Sequence, residues 1–585
     1  MATPCCVGVR VCTGVRARCP PAPGVRQSGL HPIVNCSTLR CKFFYHSPLS
    51  LGDDSQNSRF ARNALHCGPR QPLWRSLSGS KKSVESNTTT VCEHDTDARA
   101  RHDSARALRG RAVSNARWIA VSRVVSIGVQ LLSLAWLSRL LTPADYGLVA
   151  MAMVVTNLAT LVRDMGMTQA LIQRESLNDE TILTSFWFTV GVGLALGAIV
   201  ALASPLAALA FDAPGVTGIL CLLAISFPVL GSTTVHQALL ERESRFPLLA
   251  RIAAVSSVAG LTVGVTAAYL GAGAYSLALN SLTVALVSSC QLWLAAPLSP
   301  RWLWSSHEFR GIRQFSDYLV GFNLINYFSL NADSMIIGRF LGAGSLGLYS
   351  LAYRIVDFPV NNLTFVASSA LFPVMSRQQA VPEEMANLYL RTLAMIAFIT
   401  APMMAGLIVV REPFIEVVLG RKWLGMSDVL MWLSAVGFVN SLTCTTGSVL
   451  MARGRTNYLF YLGIVGVVLQ VPAFVIGLRW GVEGVAAGHL VASAITAAIA
   501  FTVVLRVLGR GTAQFLHSVG RPMAFAAAMA LAVMACRPLI LSHELPVLIQ
   551  LVVLASIGGA TYLALAWMFA RQSLREATLL FKRRR

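Results

Sequence analysis

Two stretches of this 585-residue chain, SRLLTPADYGL at residues 138–148 and GRFLGAGSLGL at residues 338–348, decide its fold. They lie two hundred residues apart, and five positions are identical without a gap when 138–152 is set against 338–352. Each stretch ends one apolar run and begins another. Parallel repeats of this kind are typical of transporters, in which the substrate path lies between two halves. Chance matching within a glycine- and leucine-rich composition is the alternative.

The residue types of the repeated stretch suit the end of one helix and the start of the next. Arg139 and Arg339 can cap carbonyl groups at a membrane interface. Gly147 and Gly347 permit a tight turn or close helix packing. Two interpretations stay open: the stretches form a gate at the outer mouth of a transporter, or they are helix-hairpin turns and no more.

Composition places the chain in a membrane. Hydrophobic residues make up 55%, charged residues only 13%, and the mean hydropathy is +0.60. A soluble domain carries about 25% charged residues, so this composition excludes an ordinary cytosolic enzyme. The net charge of +21 would suit nucleic acid, anionic lipid or an acidic substrate, and the positions of the charges must decide among them.

The first 117 residues differ from the rest of the chain. They hold 18 basic and 7 acidic residues, 8 of the 12 cysteines and no apolar run long enough to span a membrane. Their Arg-, Ser-, Pro- and Gly-rich composition is typical of disorder. Three interpretations remain: a transit peptide, a basic tail that contacts anionic lipid, or upstream sequence translated from a start placed too early. We expect residues 1–110 to be a disordered extension that the activity does not need.

The remainder can be divided into spans of about 20 apolar residues each, the length needed to cross a bilayer. Fourteen are predicted: 118–138, 145–163, 186–208, 217–238, 249–270, 274–297, 315–333, 346–371, 388–410, 428–451, 457–477, 482–508, 521–541 and 546–570. Loops on one side then carry 21 basic residues and those on the other side 7. The positive-inside rule therefore predicts that both termini are cytoplasmic. Since topology accounts for most of this charge, nucleic-acid binding is not expected.

The predicted fold class is an all-α polytopic membrane protein with two pseudo-symmetric six-helix lobes and two additional helices. The N-terminal lobe covers residues 111–300 and the C-terminal lobe residues 301–510. Residues 511–570 form the additional helices, and 571–585 form a basic cytoplasmic tail.

Several motifs, in a consistent order, resemble those of one family. They are LSRLLTPADYGLV at 137–149 with RDMGMTQALIQR at 163–174, then DSMIIGRFLG at 333–342, LGLYSLAYR at 346–354, LFPV at 371–374, GRKW at 420–423 and GVEGVA at 481–486. Over about residues 106–510 the chain resembles polysaccharide flippases of the Wzx type, in the multidrug, oligosaccharidyl-lipid and polysaccharide exporter superfamily. The first 105 residues have no counterpart in that pattern.

The resemblance implies two six-helix lobes around a central cavity in the cytoplasmic membrane. It implies that the protein moves a lipid-linked oligosaccharide of the polyprenyl-diphosphate type to the outer leaflet by alternating access, for export of surface polysaccharide. The expected partners are this substrate, membrane lipid, and a polysaccharide polymerase with its export machinery. No cofactor or metal is expected, and because the task is binding without bond breaking, we expect no enzymatic activity.

Arginines inside predicted spans are the first candidates for substrate binding. Arg123 lies in the first span and Arg354 in the eighth. A charge at such depth costs about 3 kcal/mol or more, and an arginine can bind a phosphate with two hydrogen bonds. The alternatives are an ion pair between Arg354 and Asp357, three residues further on, and extension of Arg123 to the cytoplasmic interface.

Polar residues of the seventh span are the second group of candidates. Asn323, Asn326 and Asp333 recur near helical spacing and can meet sugar hydroxyls or a coupling cation. A structural network between helices is equally compatible with them. The predicted substrate-binding residues are thus Arg123, Arg354, Asn323, Asn326, Asp333 and Asp357.

Two other functions compete with lipid-linked glycan transport. A cation-coupled multidrug exporter of the same superfamily would need an acidic residue within the N-terminal lobe, and spans one to six have none well inside the apolar core. A membrane glycosyltransferase or polymerase would need catalytic carboxylates on a large outer loop, and the largest predicted outer loop is about 411–427.

Overall fold

The structure is a computed structural model that describes residues 125–164, 168, 171–172, 177–305, 327–328, 331–361, 382–542, 545–569 and 571. Every regular element within these ranges is a helix. The N-terminal half contains α1 (Val125–Leu140), α2 (Pro143–Asp164), α3 (Asp179–Phe211), α4 (Gly215–Ala224), α5 (Ser226–Gly231), α6 (Thr234–Arg242), α7 (Phe246–Tyr269) and α8 (Tyr275–Ala295). The C-terminal half contains α9 (Asn331–Asn361), α10 (Pro382–Val409), α11 (Arg411–Val418), α12 (Ser427–Thr443), α13 (Thr446–Ala452), α14 (Thr456–Gly477) and α15 (Gly481–Leu508). After these come α16 (Thr512–Leu541) and α17 (Val547–Phe569).

The outer surface of the bundle is apolar, as a lipid environment requires. Ten helical segments of the described residues are long and apolar enough to cross a membrane, or eleven if α4–α6 form one bent span. In α3, Leu202 is 81% exposed, and Leu206 and Leu209 are similarly exposed. Large exposed aliphatic side chains in such numbers are stable only against lipid or another protein. The chain is therefore a multi-pass membrane protein.

The segment α9 is not a straight rod, because it reverses direction at Gly342. A straight helix would place residues 333 and 349 roughly 24 Å apart, yet the Tyr349 hydroxyl lies 2.8 Å from the Asp333 carboxylate. Gly342 has φ +79°, the left-handed conformation that glycine adopts at little cost. The two limbs of α9 therefore form a hairpin, at the position where the repeat predicted a break between spans.

A second close hairpin joins α14 to α15. Gly477 and Gly484 face each other so closely that a Cβ on either would overlap the backbone of the other. Small residues at a crossing point let two membrane helices approach and gain dispersion contacts along their length. The predicted spans 457–477 and 482–508 correspond to these two helices.

The two helices beyond the C-terminal half pack against α10. Phe398 and Ala401 of α10 are buried with Met529 of α16 and Tyr562 of α17. The Tyr562 hydroxyl donates a hydrogen bond to the carbonyl of Phe398 at 2.7 Å. The additional helices are thus joined to the bundle by buried apolar contacts. The Tyr562 hydroxyl, which lies among these contacts, has a hydrogen-bond partner there.

Where the structure describes the residues, the predicted spans agree in position with the helices, except in two places. Predicted span 217–238 is broken into α4, α5 and α6, with a 45° bend before α6, and the predicted outer loop 411–427 forms α11 and a 3-10 helix, Arg421–Met426. The total of fourteen spans includes residues outside the described ranges and stays a prediction.

Candidate functional site

The two repeated stretches meet each other in the structure. Gly147 at the start of α2 packs on the backbone of Ala343, and Gly347 packs on the backbone of Pro143. These contacts are reciprocal. When the two repeats are aligned, each glycine contacts the residue that lies four positions before its counterpart in the other repeat. A Cβ at either glycine would overlap a carbonyl oxygen. Glycine is needed at both positions for close backbone approach, which turn formation alone does not explain.

Further contacts across the halves surround this glycine pair. The Trp423 indole donates to the carbonyl of Ser138 at 2.8 Å, and the Lys422 ammonium donates to the carbonyl of Arg139 at 2.8 Å. The Arg139 guanidinium donates in turn to the carbonyl of Val417. Trp423 and Lys422 thus satisfy carbonyls at the C-terminal end of α1, and Arg139 satisfies one at the C-terminal end of α11, where helical partners are missing. We call this end of the bundle, formed by residues 137–147, 338–347 and 417–426, the closed end.

Trp423 is the largest fully buried side chain of the closed end, at 0% exposure, and its ring meets Tyr146 edge-on at 5.2 Å between centroids. Trp423→Ala is expected to destabilise the protein by about 3–5 kcal/mol, because it leaves a cavity. It also leaves the Ser138 carbonyl without its donor. Trp423→Phe keeps most of the packing and should cost about 1 kcal/mol for the lost hydrogen bond. Thermal unfolding of the detergent-solubilised variants measures which of them is less stable. An equal loss of stability in both variants would contradict this prediction.

An exposed ion pair also joins the halves at this end, between Arg339 and Asp212 at 3.5 Å. Asp212 is 85% exposed on its side chain, and such pairs contribute about 0–1 kcal/mol. Asp212→Asn is therefore expected to destabilise the protein by no more than about 1 kcal/mol. Thermal unfolding of the detergent-solubilised variant checks the expectation, and a loss as large as that of Trp423→Ala would contradict it.

A cavity of about 260 Å³ lies between the two halves, next to the closed end. Helix α1 lines it with one face, and α2, α7, α8 and α9 complete the wall. The polar groups of its described lining are Ser126, Gln130, Ser133, Tyr146, Ser257, Asn280 and Arg354. Pockets for small molecules have volumes of about 300–1,000 Å³, so this cavity lies just below that range.

Arg354 supplies the charge of this cavity. It is the one charged side chain in the described lining, and it comes from the second limb of α9 while the other lining residues come from the N-terminal half. Asp357 instead accepts a hydrogen bond from the Asn361 amide at 2.6 Å. Among the described residues no carboxylate pairs with Arg354, so the intrahelical ion pair weighed from the sequence does not form. Its guanidinium is exposed to the cavity.

The remaining predicted residues fall in different places. Asp333 is 6% exposed, bonded to Tyr349, and not among the described residues that line the cavity. Asp357 is half-buried one turn beyond Arg354. Arg123, Asn323 and Asn326 lie outside the described residues. The structure thus brings Arg354 to the cavity and places Asp333 in a separate buried cluster.

Sequence reasoning missed the polar stripe of α1. Ser126, Gln130 and Ser133 recur at intervals of four and three residues in an apolar helix and line the cavity together. This spacing is that of one helix face and was readable from the sequence. Asn280 was missed as well, and its role depends on packing between α7 and α8 that no local pattern indicates.

The family described as "Polysaccharide biosynthesis protein" matches residues 136–428, half of the chain. The chain belongs to this family. The matched part includes both repeated stretches, Arg354 and the contact of Trp423 with Ser138. The resemblance stated from the motifs is confirmed.

Similar proteins agree with this assignment. The chain is 28% identical to the lipopolysaccharide biosynthesis protein WzxC of Escherichia coli (strain K12) over 423 residues. This alignment covers 71% of this chain and 85% of WzxC. Over 467 residues it is 26% identical to the succinoglycan biosynthesis transport protein ExoT of Rhizobium meliloti (strain 1021), 79% of this chain and 94% of that protein. The fold is similar to that of the lipid II flippase MurJ in its inward closed conformation, with TM-score 0.64, 14% identity, and coverage of 78% of this chain and 99% of that one.

Proposed function

We propose that this protein translocates a lipid-linked oligosaccharide or polysaccharide repeat unit across the cytoplasmic membrane by alternating access, for export of surface polysaccharide. The observation that carries the proposal is the cavity between the halves, with an arginine in its wall that no described carboxylate pairs with, and with one end closed by contacts between the repeats. Family membership and relatives named for lipopolysaccharide and succinoglycan biosynthesis support it.

The chemistry of the cavity suits the head of a polyprenyl-diphosphate-linked glycan. Arg354 can donate paired hydrogen bonds to phosphate oxygens, which are stronger than those between neutral groups. Gln130, Asn280 and the serine hydroxyls can bind sugar hydroxyls. The polyprenyl tail needs no polar site, since it stays in the lipid. Asp357 and the three candidates outside the described residues belong to the same proposed path.

Alternating access requires that the closed end open when the opposite end closes. We place the closed end at the outer face of the membrane, following the positive-inside prediction. We assign residues 111–300 and 301–510 to the two lobes that move, with 511–570 as additional helices. A head group bound at Arg354 would be released outward once the Gly147 and Gly347 contacts part.

A multidrug exporter is the second candidate. Cationic drugs would need an acidic group in the cavity, because a cation is repelled by Arg354 and attracted by a carboxylate. The described lining holds no acidic residue. This charge favours a phosphate-bearing substrate.

Deletion of the gene separates these functions. We expect lipid-linked oligosaccharide to accumulate facing the cytoplasm and surface polysaccharide to be lost, with both restored by the full chain. A chain beginning at Arg106 should restore them equally. Normal surface polysaccharide with increased drug sensitivity would instead favour the exporter.

A further inference from the structure

Three polar side chains form a buried chain of hydrogen bonds in the C-terminal half. Asp333 lies on the first limb of α9, Tyr349 on the second limb, and His489 on α15. Their exposures are 6%, 1% and 7%. The Tyr349 hydroxyl lies 2.8 Å from Asp333 Oδ2 and 3.0 Å from His489 Nδ1.

The direction of these bonds follows from the chemistry of a phenol, which carries one proton. When Tyr349 donates to the Asp333 carboxylate, it can only accept from His489, so Nδ1 carries the imidazole proton. The other carboxylate oxygen, Oδ1, accepts from the backbone N–H of Ser334 at 2.6 Å. In this arrangement the Nε2 atom of His489 carries no proton, and no described residue donates a hydrogen bond to it.

The chain has a second arrangement that differs by one proton. A proton that binds His489 Nε2 releases the Nδ1 proton to Tyr349, and Tyr349 passes its own proton to Asp333 Oδ2. The result is a neutral Asp333 that donates to Tyr349, and a Tyr349 that donates to His489 Nδ1. In total, the N–H bond at His489 Nε2 and the O–H bond at Asp333 Oδ2 form, and the N–H bond at His489 Nδ1 breaks. Tyr349 loses one proton and gains another, so its hydroxyl is unchanged. The cluster changes from one negative charge to none.

The charge of Asp333 is held by hydrogen bonds and not by a cation. Among the described residues no arginine or lysine pairs with it, and its carboxylate accepts from the Tyr349 hydroxyl and the Ser334 backbone N–H. Among the described residues, the titratable groups that face the cluster are Tyr353, which stacks on His489 at 6.3 Å, and Asp357, one turn beyond Tyr353. From α14 the cluster meets Phe474, whose ring approaches His489 edge-on at 5.2 Å.

We propose that Asp333, Tyr349 and His489 form a proton relay that couples translocation to the transmembrane proton gradient, in exchange for one proton moving inward. This rests on the proposed function. Ionisable chains of this kind within a membrane are typical of proton-driven transporters. Sodium sites in transporters are built from backbone carbonyls of unwound helices, whereas here the groups are a carboxylate, a phenol and an imidazole, and one carboxylate oxygen accepts from Ser334.

The position of the relay connects it to the closed end. Tyr349 is two residues beyond Gly347, and the bond to Asp333 holds together the two limbs of α9 on either side of the Gly342 turn. Protonation reverses the polarity of that bond. The relay thus acts on the hairpin whose turn contacts the N-terminal half.

Infrared spectroscopy of the purified full chain tests the relay without a transport assay. As the pH is lowered, the wild type is expected to show one carboxylic acid C=O component more than Asp333→Asn, visible in the difference between their spectra because the other carboxyl groups are common to both. Its presence supports the relay whether or not the chain transports glycans. If no band differs between wild type and Asp333→Asn at any pH, the relay is wrong while the proposed function stands.

Proteoliposomes that contain lipid-linked oligosaccharide from the deletion strain test the coupling. A gradient of one pH unit should drive accumulation in the leaflet facing the acidic side, by up to about tenfold for one proton. Tyr349→Phe keeps the packing but breaks the relay, and should reduce accumulation to the level without a gradient, while His517→Gln, at an exposed site on α16, should behave as wild type. Accumulation driven by a sodium gradient alone, or an unchanged response in Tyr349→Phe, would overturn the proposal.

Discussion

Replacing Gly347 with alanine is expected to reduce translocation about thirtyfold while the protein still inserts. The new Cβ would overlap the carbonyl oxygen of Pro143, and a backbone group cannot move aside as a flexible side chain can. Overpacking of this kind costs about 1–3 kcal/mol, and 2 kcal/mol is a factor of about 30 in the population of the closed state. Gly147→Ala should give a similar loss, because its contact with Ala343 is the reciprocal one.

A neighbouring glycine provides the control. A Cβ at Gly344 would meet nothing within 4 Å, so Gly344→Ala changes the same turn without touching the other half and should transport as wild type. Labelling of a cysteine placed at Leu346, which is 0% exposed, reports opening of the closed end. The cysteine should react with an impermeant maleimide in Gly347→Ala but not in Gly344→Ala. Wild-type transport by Gly347→Ala would show that the two repeats need not meet.

Replacing Arg354 with glutamine is expected to abolish translocation nearly completely. The change keeps a polar side chain but removes the charge, and each charge-assisted hydrogen bond to a phosphate contributes about 1.5–3 kcal/mol, so two of them account for a loss of roughly a hundredfold or more. Arg354→Lys keeps the charge without the planar pair of donors and should retain partial activity. Complementation of the deletion strain, with lipid-linked oligosaccharide quantified in membranes, measures the activity of the wild type, Arg354→Lys and Arg354→Gln.

Arg251 offers a matched control for Arg354. It is an exposed arginine on α7, the helix that contributes Ser257 to the cavity, but it is not among the described lining residues. Arg251→Gln removes one positive charge from the same bundle and should complement fully. Equal loss in the Arg251 and Arg354 variants would mean that overall charge matters and the cavity position does not.

The sequence predicted those features that depend on local pattern. Apolar runs gave the helices, since a membrane span must be continuous and apolar, and the repeat placed the break of α9 at Gly342. The gate interpretation of the repeat gains support from the contacts of Gly147 and Gly347. The same stretches also form helix turns, so the two interpretations describe one structure.

The features that sequence reasoning missed depend on contacts between distant segments. Trp423 donates to Ser138 across 285 positions, and Tyr349 meets His489 across 140. No periodicity within one helix relates such residues. For Arg354 the sequence left two alternatives, because its spacing from Asp357 also allowed an ion pair. In the structure Arg354 lies in the cavity wall and Asp357 bonds Asn361.

The most direct test of lipid-linked glycan translocation uses purified protein in liposomes that carry lipid-linked oligosaccharide from the deletion strain. The quantity measured is the fraction of glycan cleaved by a glycosidase added outside. With wild-type protein the fraction should rise towards completion, because molecules from the inner leaflet reach the outer one. With folded Arg354→Gln it should stay at the level of protein-free vesicles. A wild-type protein that leaves the fraction at that level, under every imposed gradient, would contradict translocation by this chain.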